Sequence, residues 1–128
     1  MRLRPQYHFR PGPNGLRAWD VRKLITLAEA LPIEAVNIEE ITELDAPYWY
    51  AHGEQPTTRS IVGHMRLMND ADTAFPILLC EDGHIMDGMH RVAKRVLDGH
   101  KDVLARRFLK TPPPDFEGVS PGELPYDT

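Results

Sequence analysis

His84-Ile85-Met86-Asp87-Gly88-Met89-His90-Arg91-Val92-Ala93-Lys94 reads as a strand that passes through one glycine straight into a helix. The first N–H groups of a helix lack internal partners and sit at the positive end of its dipole. A glycine at such a junction lets a ligand approach the backbone, so the junction suits a phosphate. Arg91 adds a forked cation, and His90 a donor or a titratable base. Asp87, at the strand end, is placed to hold Mg²⁺ or orient a hydroxyl. The plain structural alternative is that Asp87 caps the helix and Arg91 pairs with it.

Working outward, Phe75-Pro76-Ile77-Leu78-Leu79-Cys80 is a nearly continuous apolar strand, and Asp82-Gly83 is a hairpin signal before the returning strand Ile85-Met86. The helix after Gly88 runs from about Met89 to Leu97 and stops at Gly99. Val92, Ala93, Val96 and Leu97 form its expected buried stripe, with Arg91, Lys94 and Arg95 off it. Val103 to Leu109 reads as a last strand. Earlier, Ala35-Val36-Asn37-Ile38 is a short strand, followed by a loop carrying Tyr48-Trp49-Tyr50. That triplet either packs or stacks on a base. A helix then opens at Pro56-Thr57-Thr58, with either threonine as its cap and Ile61, Met65 and Met68 on one face beside His64.

Nearer the N-terminus, Val21, Leu24, Ile25, Ala28 and Leu31 recur at helical spacing from Trp19 to Pro32, with Asp20 near the positive end. Residues 1–18 hold Pro5, Pro11, Gly12, Pro13, Asn14 and Gly15 and are expected to be irregular or turn-rich. The tail from Thr111 carries five prolines and is expected to be extended, either wrapping the body through Phe116 and Tyr126 or serving a partner.

Charge is segregated along the 128 residues. Residues 1–23 carry six Lys/Arg against Asp20; residues 24–83 carry Arg59 and Arg66 against 11 acids; residues 84–110 carry seven Lys/Arg against Asp87, Asp98 and Asp102; residues 111–128 carry four acids. The overall −4 argues against a bulk nucleic-acid binder, while the basic segment coincides with the junction at Gly88. One cysteine, Cys80, excludes an internal disulfide framework, and its apolar strand suggests a buried, inert thiol. No apolar run approaches the roughly 20 residues that span a bilayer. The N-terminus lacks a signal-peptide pattern, so a cytoplasmic protein is expected. The six histidines show no H-x-x-x-H spacing that would mark a dedicated metal site. Asp70 and Asp72 suit loop capping better than Mg²⁺ binding.

Asp87-Gly88-Met89-His90-Arg91, with Ala93, Gly99 and the strand from Val103, resembles the superfamily that joins ParB-type partition proteins and sulfiredoxin. Gly88 and Arg91 match the G-x-x-R of its G-x-x-R-x-x-A phosphate element, with Ala93 one position before the place of its alanine, and Asp87, Gly88, His90 and Arg91 are similar to the D-G-x-H-R form of its free-serine kinases. The resemblance spans about residues 34–109. It implies an α+β, ParB/sulfiredoxin-like fold, a small mixed sheet flanked by helices. Residues 1–33 would then be an N-terminal extension with an amphipathic helix, 34–110 the domain, and 111–128 a proline-rich tail.

The resemblance further implies a nucleotide (ATP, ADP or CTP) or a phosphorylated small molecule as ligand. Gly88, Met89, His90, Arg91, Lys94 and His64 would bind phosphate; Asp87 and His90 would be catalytic, with Mg²⁺ on Asp87. The expected function is a small-molecule phosphotransferase or nucleotide hydrolase; the alternative is a non-enzymatic regulatory or partner-binding module. Sulfiredoxin chemistry is not expected, because Met89 stands where that family has its cysteine. Nor is sequence-specific DNA binding, because the chain ends about 19 residues after Leu109. The kinases use a further glutamate, for which Glu39, Glu40 and Glu43 lie in the right region. A homo-oligomer stays open.

Overall fold

The computed structural model describes residues 6–51 and 53–126. The apolar strand β4 (Ile77–Leu79) lies inside a four-stranded mixed sheet of order β3-β6-β4-β5, with β3 at Glu34–Asn37, β5 at Ile85–Asp87 and β6 at Asp102–Arg107. It pairs in parallel with β6 and antiparallel with β5. Because strand side chains alternate, the Ile77-Leu78-Leu79-Cys80 run feeds two cores. Ile77 and Leu79 pack with Ile38, Ile85, Val103 and Ala105 and with Met89 and Val92 of helix α3 (Met89–Leu97). Leu78 and Cys80 pack on the other face with Trp19, Met86, Phe108 and helix α1 (Val21–Ala28). The fold is α+β, a small mixed sheet with helices on its flanks.

Residues 7–20 are not irregular. Tyr7–Gly12 and Gly15–Asp20 form a hairpin, β1 and β2, whose turn is Pro13-Asn14. The prolines and glycines punctuate that turn, with Gly15 at φ +102, while the flanking residues alternate as strands do. Residues 1–5 of the expected irregular stretch lie outside the described residues. The tail wraps the body: β7 (Phe116–Glu117) adds to β2, and Tyr7 packs edge-on against Phe116 and Tyr126. Trp19 Nε1 donates to Pro112 O at 2.8 Å, and the backbone N–H of Asp20 donates to Asp115 Oδ2 at 2.8 Å. Asp127 and Thr128 lie outside the described residues.

Helix α1 is shorter than its periodicity suggests, ending at Ala28 rather than Leu31, and Asp20 is its N-cap. Helix α2 (Thr58–Asp70) opens on a full capping box, Thr57 and Ser60 each bonding the other's backbone N–H. Its expected apolar face is not buried. Ile61 and Met65 are 47% and 48% exposed, and the half-buried side is Ser60, His64 and Met68. In α3 likewise, Val96 and Leu97 are exposed, while Met89, expected at the phosphate, is buried. A helix's buried side follows its neighbours, and helical spacing alone does not fix which ridge meets them. Among the described residues, no helix is long and apolar enough to cross a membrane.

Asp20 is 6% exposed; burial alone would raise its pKa, but the bonds from the Arg22 side chain and backbone outweigh this and hold it below the usual value. Asp20→Ala is expected to lower unfolding free energy by about 0.5–2 kcal/mol, the range for lost N-caps. The check is a lower urea midpoint with unchanged slope; Asp20→Asn, which can still cap, should lose less.

Candidate functional site

Residues of the β5–α3 junction line a cleft of about 630 Å³, with α1 and the 71–76 segment forming other walls. A bulge aims Asp87 there. Leu79 pairs with Ile85 but Leu78 pairs with Asp87, so Met86 is the extra residue and Asp87 comes to lie beside Leu78. Leu78 is also in register with Arg106 of β6. Asp87, Leu78 and Arg106 therefore form one row across three strands, and all three line the cleft. Ile25, Ala28, Phe75 and Pro76 supply apolar walls, and Glu29 and Asp72 add carboxylates.

Gly88 is required by the fold itself. Its φ is +107, and a Cβ there would lie 2.6 Å from Ile77 Cγ2. It is the N-cap of α3 and so makes no side-chain cap hydrogen bond; Asp87 does not cap in its place. The N–H groups of Met89 and His90 are thus left for a ligand or water, whereas that of Arg91 donates to Gly88 O at 3.0 Å.

Arg91 Nη2 donates to Asp87 Oδ2 at 2.6 Å, and Arg91 Nη1 donates to Pro76 O at 2.7 Å and Phe75 O at 3.2 Å. A guanidinium has five N–H donors, so two remain, one of them Nε–H. Asp87 balances the Arg91 charge, and the cleft's unmatched cation is Arg106. Its Nη1 faces the carbonyls of Ala28, Glu29 and Leu31, and no carboxylate pairs with it among the described residues. The sequence gives no sign of Arg106, because only the β4–β5 and β4–β6 registers place it in the row of Asp87, on the far side of Leu78.

Lys94, expected at the phosphate, is held elsewhere: Nζ donates to Asn69 O and Ala71 O at the end of α2. His64, expected there too, meets His90 instead, Nδ1 to Nε2 at 2.9 Å. Trp49 lies flat against both rings, with centroids 4.3 and 4.8 Å away and interplanar angles of 11° and 16°. The Tyr48-Trp49-Tyr50 triplet therefore packs, and its indole covers the histidine pair. Asp72 caps the loop, accepting from Ala74 N–H at 2.9 Å. Of the three glutamates, Glu43 is turned inward: Oε2 accepts from the Ile85 N–H and Oε1 lies 3.5 Å from His84 Nδ1.

Cys80 is buried as expected, at 1% exposed. Burial raises its pKa, but the Arg10 guanidinium and the backbone N–H groups of His84 and Asp82 at the sulfur outweigh it and lower the thiol below its usual value. Among the described residues, no three His, Cys, Asp or Glu side chains gather to hold a metal ion. No family model matches the chain, and neither a curated protein nor a solved structure matches it.

Burial lowers the pKa of His64; burial, then His64 and Arg91, lower that of His90. A histidine depressed in the folded state binds more protons when unfolded. Its stabilising effect is intact above the unfolded value of about 6.5 and is lost as pH falls from there toward the folded value. Melting temperature should therefore fall with pH below about 6.5. The slope should reach at most about 1.4 kcal/mol per pH unit for each proton, and His64→Gln/His90→Gln should flatten it. Parallel melting curves for parent and variant would refute the assignment.

Proposed function

We propose that the chain binds a phosphate-bearing small molecule, of nucleotide class, in the cleft at the β5–α3 junction and acts on it as a small phosphotransferase or nucleotide hydrolase. The observation that carries this reading is the uncapped start of α3 opening beside a cleft that also holds Arg91 and the carboxylate-free Arg106. Helix N–H groups and spare guanidinium donors together suit phosphate oxygens. The apolar walls at Ile25, Ala28 and Phe75 suit the less polar part of the same ligand.

The ParB/sulfiredoxin resemblance supports the same reading. The strand, helix, hairpin and helix that it requires occur in that order around the D-G-x-H-R run. Met89 is buried in the core, so its part would be played by its backbone N–H. Asp87, at the strand end, would be a carboxylate offered to a Mg²⁺ ion arriving on the phosphates, the usual way that ion is held. Pre-aimed N–H groups and cations would stabilise charge on a transferring phosphoryl group. In the non-enzymatic alternative the same cleft holds nucleotide without turnover.

The test is thermal stability with ATP, ADP, CTP and inorganic phosphate, with and without Mg²⁺. A ligand at 100 times its Kd adds about 2.7 kcal/mol. Arg106→Gln keeps a donor toward the α1 carbonyls but loses the charge; it should weaken phosphate-ligand binding by about 1.5–3 kcal/mol. Equal affinity in parent and variant by calorimetry would remove Arg106 from the site. Nucleotide consumption with a panel of hydroxyl acceptors separates enzyme from module. In the enzyme, Asp87→Asn should cut turnover on the order of 10²-fold, the effect of losing a positioned acid–base group, with a smaller change in nucleotide affinity.

A further inference from the structure

His64 and His90 meet nitrogen to nitrogen in nearly one plane. The gap is 2.9 Å, the ring centroids are 5.1 Å apart and the rings are inclined by 22°. A centroid separation that exceeds the nitrogen gap by about two ring radii describes an edge-to-edge pair, so an N–H of one ring points at the lone pair of the other. Only one proton fits between them. The outer nitrogens, His90 Nδ1 and His64 Nε2, have no protein partner among the described residues.

Two arrangements satisfy the contact. In one, His90 Nε2–H donates to His64 Nδ1, and both rings are Nε2–H tautomers, the more stable form of a free histidine side chain. In the other, both rings are the less stable Nδ1–H form. The surroundings also oppose a further proton on His90. It lies in the first turn of α3, at the positive helix end, beside the Arg91 guanidinium. The charged or titratable groups on the elements packed here are Arg91, Lys94 and Arg95 on α3, Arg59, Arg66 and Asp70 on α2, Asp87 at the end of β5, and Tyr48 and Tyr50 in the loop. Of these, Tyr50 meets His64 edge-on, and its hydroxyl bonds Ser60. No carboxylate pairs with either histidine among the described residues, so nothing compensates a second charge.

We propose that His64 is a positioning residue for His90: by accepting from His90 Nε2–H it holds that ring in the neutral Nε2–H form and leaves His90 Nδ1 as a proton acceptor for a hydroxyl-bearing ligand in the cleft. Trp49 keeps the two rings in register by covering both. His90 is thereby a candidate general base and not a cationic phosphate ligand, and His64 acts through it. What His90 acts on rests on the cleft reading above; the tautomer does not.

The experiment is long-range ¹H–¹⁵N NMR on the full chain with ¹⁵N-labelled histidine, at mildly alkaline pH, for the parent, His64→Phe and His64→Asn. In the parent, His90 should show a protonated Nε2 and a bare Nδ1, with a coupling across the bond to His64 Nδ1. His64→Phe keeps a ring on Trp49 but removes the acceptor, so His90 should become a mixture of tautomers. His64→Asn puts an amide oxygen near the Nδ1 position and should restore the single form, which a merely structural role for His64 would not predict. A parent His90 in the Nδ1–H form, or one unchanged in His64→Phe, overturns the proposal. Inorganic phosphate is titrated in the same samples. If the amides of Gly88–Arg91 do not respond while His90 holds the expected tautomer, the cleft reading falls and the positioning role stands.

Discussion

The turn at Gly88 fixes how β5, β4 and α3 can lie against one another. The backbone there sits at positive φ, and Ile77 leaves no room for a side chain. That close approach lets β5 lie against β4 and turn at once into α3, whose Met89 and Val92 then close the core over Ile77 and Leu79. The same turn brings Arg91 back over Asp87 and over the carbonyls just before β4. One guanidinium thus ties the start of α3 to both strands it must reach. The bulge in β5 belongs to the same geometry, since it puts Asp87 on the Arg106 face of the sheet.

The basic stretch from residue 84 to 110 acquires a meaning that net charge does not convey. Lys94 bonds the last carbonyls of α2, and Arg106 those at the end of α1. Arg95 pairs with Asp102, and Arg107 bonds Glu81 O. Most of this charge therefore sits on carbonyl oxygens, including the negative ends of two helices, where cations are favoured. What remains for a ligand is narrower than the stretch suggests: the spare donors of Arg91 and Arg106 and the N–H groups at the start of α3.

Much of the fold was legible because its signals are local. The capping box at Thr57, the glycine stop at Gly99, the apolar run before Asp82-Gly83 and the Gly88 junction all depend on residues within a few positions of one another. The N-terminal hairpin was hidden because Pro11, Gly12, Pro13 and Gly15 read as an irregular, turn-rich stretch when they mark one tight turn. The buried side of α2 was hidden because periodicity picked out Ile61, Met65 and Met68 as one face, whereas packing half-buries the adjacent ridge of Ser60, His64 and Met68.

In the candidate site, neighbouring residues alone spell out the motif: a carboxylate, a glycine that tolerates positive φ, a histidine and an arginine at the head of a helix. Their spacing along one chain segment sufficed for that. The neighbours of that motif come from packing and strand register. Strand register puts Arg106 in the row of Asp87 with Leu78 between them, His64 reaches His90 through the packing of α2 on α3, and Trp49 covers that pair from a distant loop. Those contacts join residues 15 to 41 positions apart. No local propensity encodes such separations, because burial and sheet pairing are settled only when the whole chain closes on itself.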